Sequence, residues 1–432
     1  MASTLLDRFI AVLNRSRLAT ATLVSALVFG IFIASPVAFY SDPIWSIHTS
    51  MSLLRGQNGN LVEYRHVIED KQRLYIEAHG DRLYNMFPVG VSVMAMPAVL
   101  AASTIYPKLH DDLKWAIPTQ LQKYIACAIA AAAAGVFCLF IVSTFQSVPI
   151  ALISTIILCF CTSMWSQASR TLWQHGPVVL MFSLTLLLMA WARHRPWIIQ
   201  FAGATLAFAF ICRPTAAIPI AVISLYVLIR HLRWAPLFFG WAAITTAPWF
   251  AYNWSINHTW FTEYYLPSRI VRTSTFWTAI AGNLISPARG LIIYSPILIA
   301  AIPGFWIAMR KSESRDFAII SAAIIVLHLI VISRFPHWWA GHSYGTRFMT
   351  DVLPFCIYLV AHLLQELPHW TRPWRVGTIG AMLTLGAISV FMHGQGAIHF
   401  DVHLWNSTPV NVDIVPQRLW DWHDLAFLRG LS

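Results

Sequence analysis

Long apolar runs, separated by short polar stretches, set the pattern of this sequence. The first run covers residues 18–39. At about 22 residues it is too long for the apolar core of a cleaved signal peptide and has the length of a membrane-spanning helix. Further runs of this kind are 120–143, 150–165, 177–192, 197–212, 216–229, 235–252, 291–309, 317–333, 348–364 and 376–392. The two runs beside Arg213 and Pro214 are short, which fits either two tilted spans or one broken helix.

One further apolar stretch, residues 89–106, has two interpretations. It contains Pro97 and is followed by Pro107, so it either spans the membrane or lies at the interface as a juxtamembrane helix pair. In the interfacial case the chain has about eleven spans; in the other case every later loop changes sides. Dense basic clusters at the ends of the runs favour eleven spans, because such clusters stay on the cytoplasmic side. The clusters are Arg8/Arg15/Arg17, Arg193/Arg195, Arg230/Arg233, Arg310/Lys311/Arg315 and Arg372/Arg375.

The pattern therefore predicts an all-α polytopic membrane protein in four parts. Residues 1–39 are the N-terminus and first transmembrane helix, 40–119 an outer loop with juxtamembrane helices, 120–392 the transmembrane bundle, and 393–432 an outer-face tail. The connections expected on the same outer face are the turn 166–175, the loop 253–290 and the turn 334–347.

Composition supports a membrane location. The chain is 57% hydrophobic and 11% charged, whereas soluble domains carry about 25% charged residues. The net charge of +11 does not indicate nucleic acid, because the basic residues form short clusters and no continuous stripe. The six cysteines lie inside apolar runs without CxxC or Cys/His ligand spacing, so neither a disulfide framework nor a structural zinc site is expected.

Asp42 is the first candidate catalytic residue. It directly follows the first run, in the stretch YSDPIW (40–45). A carboxylate at the membrane–water boundary is placed to meet the headgroup of a lipid-borne substrate. As a general base it would take a proton from an acceptor hydroxyl while a phosphate leaves. The alternative is a structural role as a helix cap before Pro43.

The connection RFPHWWAGHSYGTRF (334–348) collects polar and aromatic residues between two spans. Paired tryptophans at a span end also form ordinary interfacial belts. Two arginines and two histidines in the same turn exceed what a belt needs, and arginine binds phosphate through two parallel hydrogen bonds. Arg334 and Arg347 are therefore candidate phosphate ligands.

Arg289, in SPARGL (286–291), stands at the entrance of a span and is a third candidate phosphate ligand. An arginine in lipid is costly unless it faces an anion or the wet interface, but snorkelling alone also explains its position. Arg213 and Arg170 mark similar polar breaks between apolar runs.

Metal chemistry has little support in the sequence. No phosphate-binding glycine loop, HExxH motif or nucleophile elbow is found. No paired acidic motif follows Asp42 in 166–175 or 334–347, and His175 stands where a second carboxylate is expected. No obligatory cofactor is expected; a divalent metal is not excluded, but it lacks a two-carboxylate seat.

Together these motifs resemble the GT-C superfamily of polyprenyl-phosphate-sugar-dependent glycosyltransferases, which includes the lipid A aminoarabinose transferases and the protein O-mannosyltransferases. The resemblance covers most of the chain. It rests on Asp42, SMSLLRG (50–56), YNMFPVG (84–90), SPARGL (286–291), GHSYGTRF (341–348) and RLWDW (418–422).

The resemblance implies a GT-C-like bundle in a bacterial inner membrane, with the active site facing the periplasm or exterior. Asp42 would act as general base in an inverting transfer from a polyprenyl-phosphate-linked sugar to a hydroxyl of a cell-envelope glycan, glycolipid or protein. The family often has a second acidic residue in the next outer loop, where this chain offers only His175, so metal assistance is in doubt. The residues expected to hold substrate are Tyr84, His175, Glu263, His337, Trp338, His342 and Tyr344.

Two other classes remain open at this stage. A transporter or flippase of a lipid-linked saccharide also uses intramembrane arginines and broken helices, although the sequence shows no inverted repeat. An O-antigen-type ligase or polymerase would use arginine and histidine but needs no base after the first span. Replacement of Asp42 separates these alternatives.

Overall fold

The computed structural model describes residues 16–266 and 275–431, and most of this part of the chain is helical. Helix α1 (Arg17–Ala34) is the first apolar run, and Ser16 caps it by accepting a hydrogen bond from the Ala19 amide. Arg8 and Arg15 lie outside the described residues. At this end of α1 the Arg17 guanidinium donates to the side chain of Gln146.

The first loop packs several short elements over one end of the bundle. They are α2 (Ser46–Leu54), α3 (Arg65–Asp70), strands β1 (Ile76–His79) and β2 (Arg82–Asn85), α4 (Gly90–Ile105) and α5 (Leu109–Leu113). The strands pair antiparallel around a two-residue turn in which Gly80 has a positive φ of 60°. Juxtamembrane helices are thus present as expected, and the hairpin is an addition that the sequence pattern did not predict.

The bundle follows the loop. Its helices and the last short helix are α6 (Thr119–Phe145), α7 (Val148–Phe160), α8 (His175–Ala192), α9 (Ala202–Cys212), α10 (Ala217–Arg230), α11 (Ala235–Asn257), α12 (Phe276–Ile285), α13 (Leu291–Tyr294), α14 (Ala301–Arg310), α15 (Ser312–Ile332), α16 (Leu353–Glu366), α17 (Arg372–Ile398) and α18 (Asp401–Leu404). Tighter 3₁₀ segments are Asp42–Trp45, Val62–Tyr64, Pro196–Phe201, Pro214–Ala216, Leu232–Trp234, Glu263–Tyr265, Pro296–Ala300, Arg347–Val352, Leu367–His369, Pro416–Trp420 and Ala426–Leu431, and Met164–Ala168 forms a π turn.

Each of the predicted apolar runs contains a helix, but their lengths differ. Within the described ranges, six are long and apolar enough to cross a membrane: Arg17–Ala34, Thr119–Phe145, His175–Ala192, Ser312–Ile332, Arg347–His369 and Arg372–Ile398. Pro214–Arg230 and Leu232–Asn257 meet at a bend of 115° and give a seventh if they form one broken span. The runs at 150–165, 197–212 and 291–309 form shorter apolar helices.

Contacts at the start of α4 show how the stretch 89–106 is placed. A Cβ built on Gly90 would lie 2.7 Å from the backbone of Ile211 and Cys212, at the last turn of α9. Only glycine allows this approach, which seats the start of α4 against the end of a bundle helix.

The C-terminal end of the first loop lies at the same end of the bundle as the start of the loop. His48 of α2 donates from Nε2 to the Leu113 carbonyl of α5 at 3.0 Å. The Gln122 side chain, in the first turn of α6, donates to the Ile44 carbonyl at 3.1 Å. The chain thus enters and leaves the loop beside Asp42, which agrees with an interfacial α4.

Small residues let the bundle helices cross closely. A Cβ on Gly304 of α14 would lie 1.9 Å from the Leu359 carbonyl oxygen of α16, and one on Gly203 of α9 would lie 2.0 Å from the Phe238 carbonyl oxygen of α11. In lipid, where apolar surface gives little drive for association, such backbone contact is what holds helices together.

Candidate active site

Asp42 begins the 3₁₀ segment Asp42–Trp45, immediately after α1, with Pro43 fixing the first turn. Its Oδ2 forms an ion pair with Nη2 of Arg347, and its Oδ1 accepts from the Ser41 hydroxyl at 3.3 Å. The side chain is 22% exposed. Within the described chain its carboxylate therefore bonds to side chains and not to a backbone amide of the following turn.

Arg347 is the centre of the site. It begins the 3₁₀ segment Arg347–Val352, and its guanidinium lies over the Trp173 ring, 3.1 Å from the centroid. Nη1 donates to the Ala340 carbonyl at 3.2 Å, and Nε donates to His175 Nε2 at 3.3 Å. The side chain is 7% exposed, so its charge depends on these partners and on Asp42.

His175 leads from Arg347 to a second carboxylate. Its Nδ1 lies 2.6 Å from Oδ1 of Asp351, and both side chains are almost fully buried. Asp351 is not among the site residues predicted from the sequence. A signal was available, because Asp351 stands inside the apolar run 348–364, where an unpaired carboxylate would be costly.

Arg213 completes the charge network. Its Nε lies 2.8 Å from Asp351 Oδ2 and 3.0 Å from the Thr215 hydroxyl oxygen. Its Nη1 donates to Gln174 Oε1 at 3.1 Å, and that oxygen also accepts from the Tyr264 hydroxyl at 3.1 Å. Pro214 starts a new turn at the break between α9 and α10, which places Arg213 inside the protein at the end of the bundle. From the sequence, Arg213 is predicted only as a polar break between apolar runs.

A cavity of about 860 Å³ opens beside Arg213. It lies between the end of α9, the start of α10, the end of α15 and the turn at Glu263–Tyr265. Apolar side chains form most of its wall, and the polar lining residues are Arg213, Thr215, Tyr264, Tyr265 and His337. The shape is that of an apolar groove with a cation at one point, which suits an amphiphile with an anionic headgroup.

Arg289 occupies a different environment. Its guanidinium donates to the carbonyls of Trp339 (2.9 Å), Ala288 (2.9 Å) and Gly341 (3.1 Å), and to Asn406 Oδ1 at 2.6 Å. Burial lowers the pKa of Arg289 to about 10. Arg289 does not line the large cavity; it joins the 334–347 turn to the C-terminal tail.

Arg334 is exposed, and its guanidinium lies 5.2 Å from the centroid of the Phe276 ring. It is likewise absent from the cavity wall. Of the three arginines predicted to hold phosphate, the structure brings only Arg347 to Asp42.

The other predicted substrate residues are scattered. Trp338 is buried against Gly282, and the buried Tyr344 hydroxyl donates to the Met392 carbonyl at 2.6 Å. His342 bonds to Asn411 of the tail at 2.9 Å. Tyr84 lines a separate small cavity of about 30 Å³ between the first loop and α11, while Glu263 lies in the turn next to Tyr264.

The described residues contain no group of three or more His, Cys, Asp or Glu side chains arranged to hold a metal ion. The carboxylates of Asp42 and Asp351 are each occupied by an arginine. The cationic side chains that pair with these two carboxylates are Arg347 and Arg213.

Comparisons with known proteins give one informative result. No protein-family model matches the chain, and no curated protein sequence matches it. Among solved structures, it is similar to the crystal structure of ArnT from Cupriavidus metallidurans bound to undecaprenyl phosphate, with a TM-score of 0.53 over 95% of this chain and 74% of that one.

The identity over this match is 13%, so the likeness establishes the fold. The chain is a predominantly helical, polytopic membrane protein whose fold is similar to that of ArnT, and the helical membrane fold expected from the sequence is confirmed.

Proposed function

We propose that this protein is an inverting membrane glycosyltransferase that moves a sugar from a polyprenyl-phosphate donor to an acceptor hydroxyl. The observation that carries the proposal is the pairing of Asp42 with Arg347, linked through buried charges to Arg213 on the cavity wall. The base is thus connected, through Arg347, His175 and Asp351, to the cation on the wall of an apolar groove.

The groove suits the donor lipid. Its apolar walls would hold isoprenoid units, and Arg213 would meet the phosphate. Within the described ranges, no hydrogen bond engages Nη2 of Arg213, so this donor is available. The structurally similar ArnT was crystallised with undecaprenyl phosphate, which supports a lipid of this class. His337 lies at the same groove and would contact the headgroup or sugar.

The proposed reaction needs one general base and cationic side chains next to the departing phosphate. The acceptor oxygen forms a bond to the anomeric carbon as the bond from that carbon to the phosphate oxygen breaks. The phosphate leaves with the bonding electrons, and Asp42 takes the hydroxyl proton. A single displacement of this kind inverts the anomeric centre. Arg347 and Arg213 stabilise the charge that develops on the phosphate.

Arg289 and Arg334 are not phosphate ligands in this proposal. The donors of Arg289 are directed to carbonyls and to Asn406, and Arg334 faces solvent, so neither is assigned to the phosphate. No metal is assigned to the reaction.

The active site is proposed to face the periplasm or exterior of a bacterial inner membrane. Basic side chains such as Arg17, Arg230 and Lys311 gather at the end of the bundle opposite Asp42, as the positive-inside rule requires. The acceptor would be a cell-envelope glycan, glycolipid or protein. It would approach over the first loop and tail, where Tyr84, Glu263 and His342 offer polar contacts.

The test compares envelope glycans, because the sugar need not be known beforehand. A strain lacking the gene is complemented with wild type, Asp42→Asn or Asp70→Asn, and its glycans and glycolipids are analysed by mass spectrometry. Asp70 is a matched control, since it is an exposed carboxylate of the same loop, paired with Lys71.

Wild type and Asp70→Asn should restore a sugar increment that Asp42→Asn does not. Native mass spectrometry should show undecaprenyl phosphate bound equally to all three proteins. Full complementation by Asp42→Asn would contradict the proposal and favour a transporter or ligase.

A further inference from the structure

Asp351 lies behind the candidate active site and is not among the residues that line the cavity. Its side chain is 1% exposed. One carboxylate oxygen lies 2.6 Å from His175 Nδ1, and the other lies 2.8 Å from Arg213 Nε. Both oxygens are therefore held by the protein, and Asp351 is not placed to take a proton from a substrate.

The two ring nitrogens of His175 have different partners. A carboxylate only accepts hydrogen bonds, so Nδ1 carries the hydrogen that faces Asp351. Arg347 Nε only donates, so Nε2 must offer it a lone pair across 3.3 Å. These partners assign the neutral, Nδ1-protonated tautomer. In the other tautomer or in the imidazolium, an N–H group of His175 would face the N–H of Arg347.

His175 in turn orients the Arg347 guanidinium. A guanidinium is planar and its donors have fixed directions. The Nε contact with His175, the Nη1 contact with Ala340 and the face of Trp173 fix its plane. The remaining edge, Nη2, then points at Asp42.

We propose that Asp351 is a positioning residue that holds His175 in the Nδ1-protonated tautomer and thereby aims Arg347 at Asp42 and at the departing phosphate. This inference rests on the proposed function, since it specifies how that site is kept in order. Mutation of an orienting partner behind a functional group typically lowers activity about 10- to 100-fold.

The test uses Asp351→Asn in the full-length protein, with Asp316→Asn as matched control. Asp316 also pairs with an arginine, Arg230, but at the opposite end of the bundle. The initial rate of glycan modification after induction, per enzyme molecule, should fall about 10- to 100-fold in Asp351→Asn and stay at the wild-type value in Asp316→Asn. Undecaprenyl phosphate binding should not weaken, because Arg213 keeps its charge and loses a competing anion.

A second measurement reads the tautomer directly. Protein labelled with ¹⁵N in its histidine rings is studied by NMR in detergent, and the His175 signals are assigned by their loss in His175→Gln. The wild type should show a protonated Nδ1 and an unprotonated Nε2, with the preference reduced in Asp351→Asn.

A wild-type His175 protonated at Nε2, or a wild-type rate in Asp351→Asn, would overturn the inference. If Asp351→Asn fails to fold, the wild-type spectrum alone decides. A wild type that transfers no sugar but shows the expected tautomer would instead contradict the proposed function.

Discussion

Two buried arginines at the Asp42 end of the bundle have contrasting surroundings. Arg347 meets a carboxylate, an imidazole nitrogen and an aromatic face, and its partners carry or adjust charge. Arg289 donates to three backbone carbonyls and to the amide of Asn406. The contacts of Arg347 depend on the charge of its neighbours, whereas those of Arg289 fix the 334–347 turn to the C-terminal tail.

The comparison shows that burial of an arginine does not by itself indicate a ligand. Both residues stand at polar breaks next to apolar runs, and both fit a phosphate-binding role from sequence alone. Their partners distinguish them: Arg347 pairs with a carboxylate and an imidazole, whereas Arg289 donates to three backbone carbonyls and the side chain of Asn406.

The largest effect is expected from Arg347→Gln. Glutamine keeps a hydrogen-bonding side chain but removes the charge that would meet the developing phosphate anion. Removal of one such donor typically lowers the rate about 100- to 1,000-fold. The measurement is the initial rate of glycan modification per enzyme molecule in the complemented strain.

Arg289→Gln provides the matched comparison, because it removes the charge of the other buried arginine. If the rate of Arg347→Gln is no lower than that of Arg289→Gln, the proposed difference in role between the two arginines is contradicted.

A smaller effect, on stability and not on chemistry, is expected from Arg289→Gln. The substitution leaves carbonyls of the 334–347 turn and Asn406 of the tail without their donor, at a cost of about 3 kcal/mol. The thermal denaturation temperature of the detergent-solubilised protein should fall by several degrees, while undecaprenyl phosphate binding by the folded protein is retained. An unchanged denaturation temperature would contradict this structural role.

The fold could be predicted well from the sequence because the signal for each span is local and independent of the other spans. Each span, such as 120–143, carries its own run of apolar residues, and the basic clusters add direction. The stretch 89–106 was ambiguous because its composition suits either placement. Tertiary contacts favour the interfacial placement, because Gly90 lies against the end of α9 and Leu113 lies against His48.

The candidate site was only partly accessible from sequence. Asp42 and Arg347 were selected from their positions at span ends, and the structure brings them together. Asp351 and Arg213 were not selected as site residues, because their significance lies in a contact between residues 138 positions apart. The one local signal was the carboxylate of Asp351 inside an apolar run. Such a carboxylate requires a partner, but the sequence alone does not show which residue that partner is.

The most direct test of the account measures undecaprenyl phosphate binding by Arg213→Gln and Arg334→Gln. Arg213 lines the groove with an available Nη2, whereas Arg334 is exposed and faces Phe276. Loss of a charge-assisted hydrogen bond should weaken binding about 10- to 100-fold in Arg213→Gln, measured by titration in nanodiscs. Arg334→Gln should bind as the wild type does. Equal affinity of wild type and Arg213→Gln, or a loss confined to Arg334→Gln, would contradict the placement of the donor lipid in this groove.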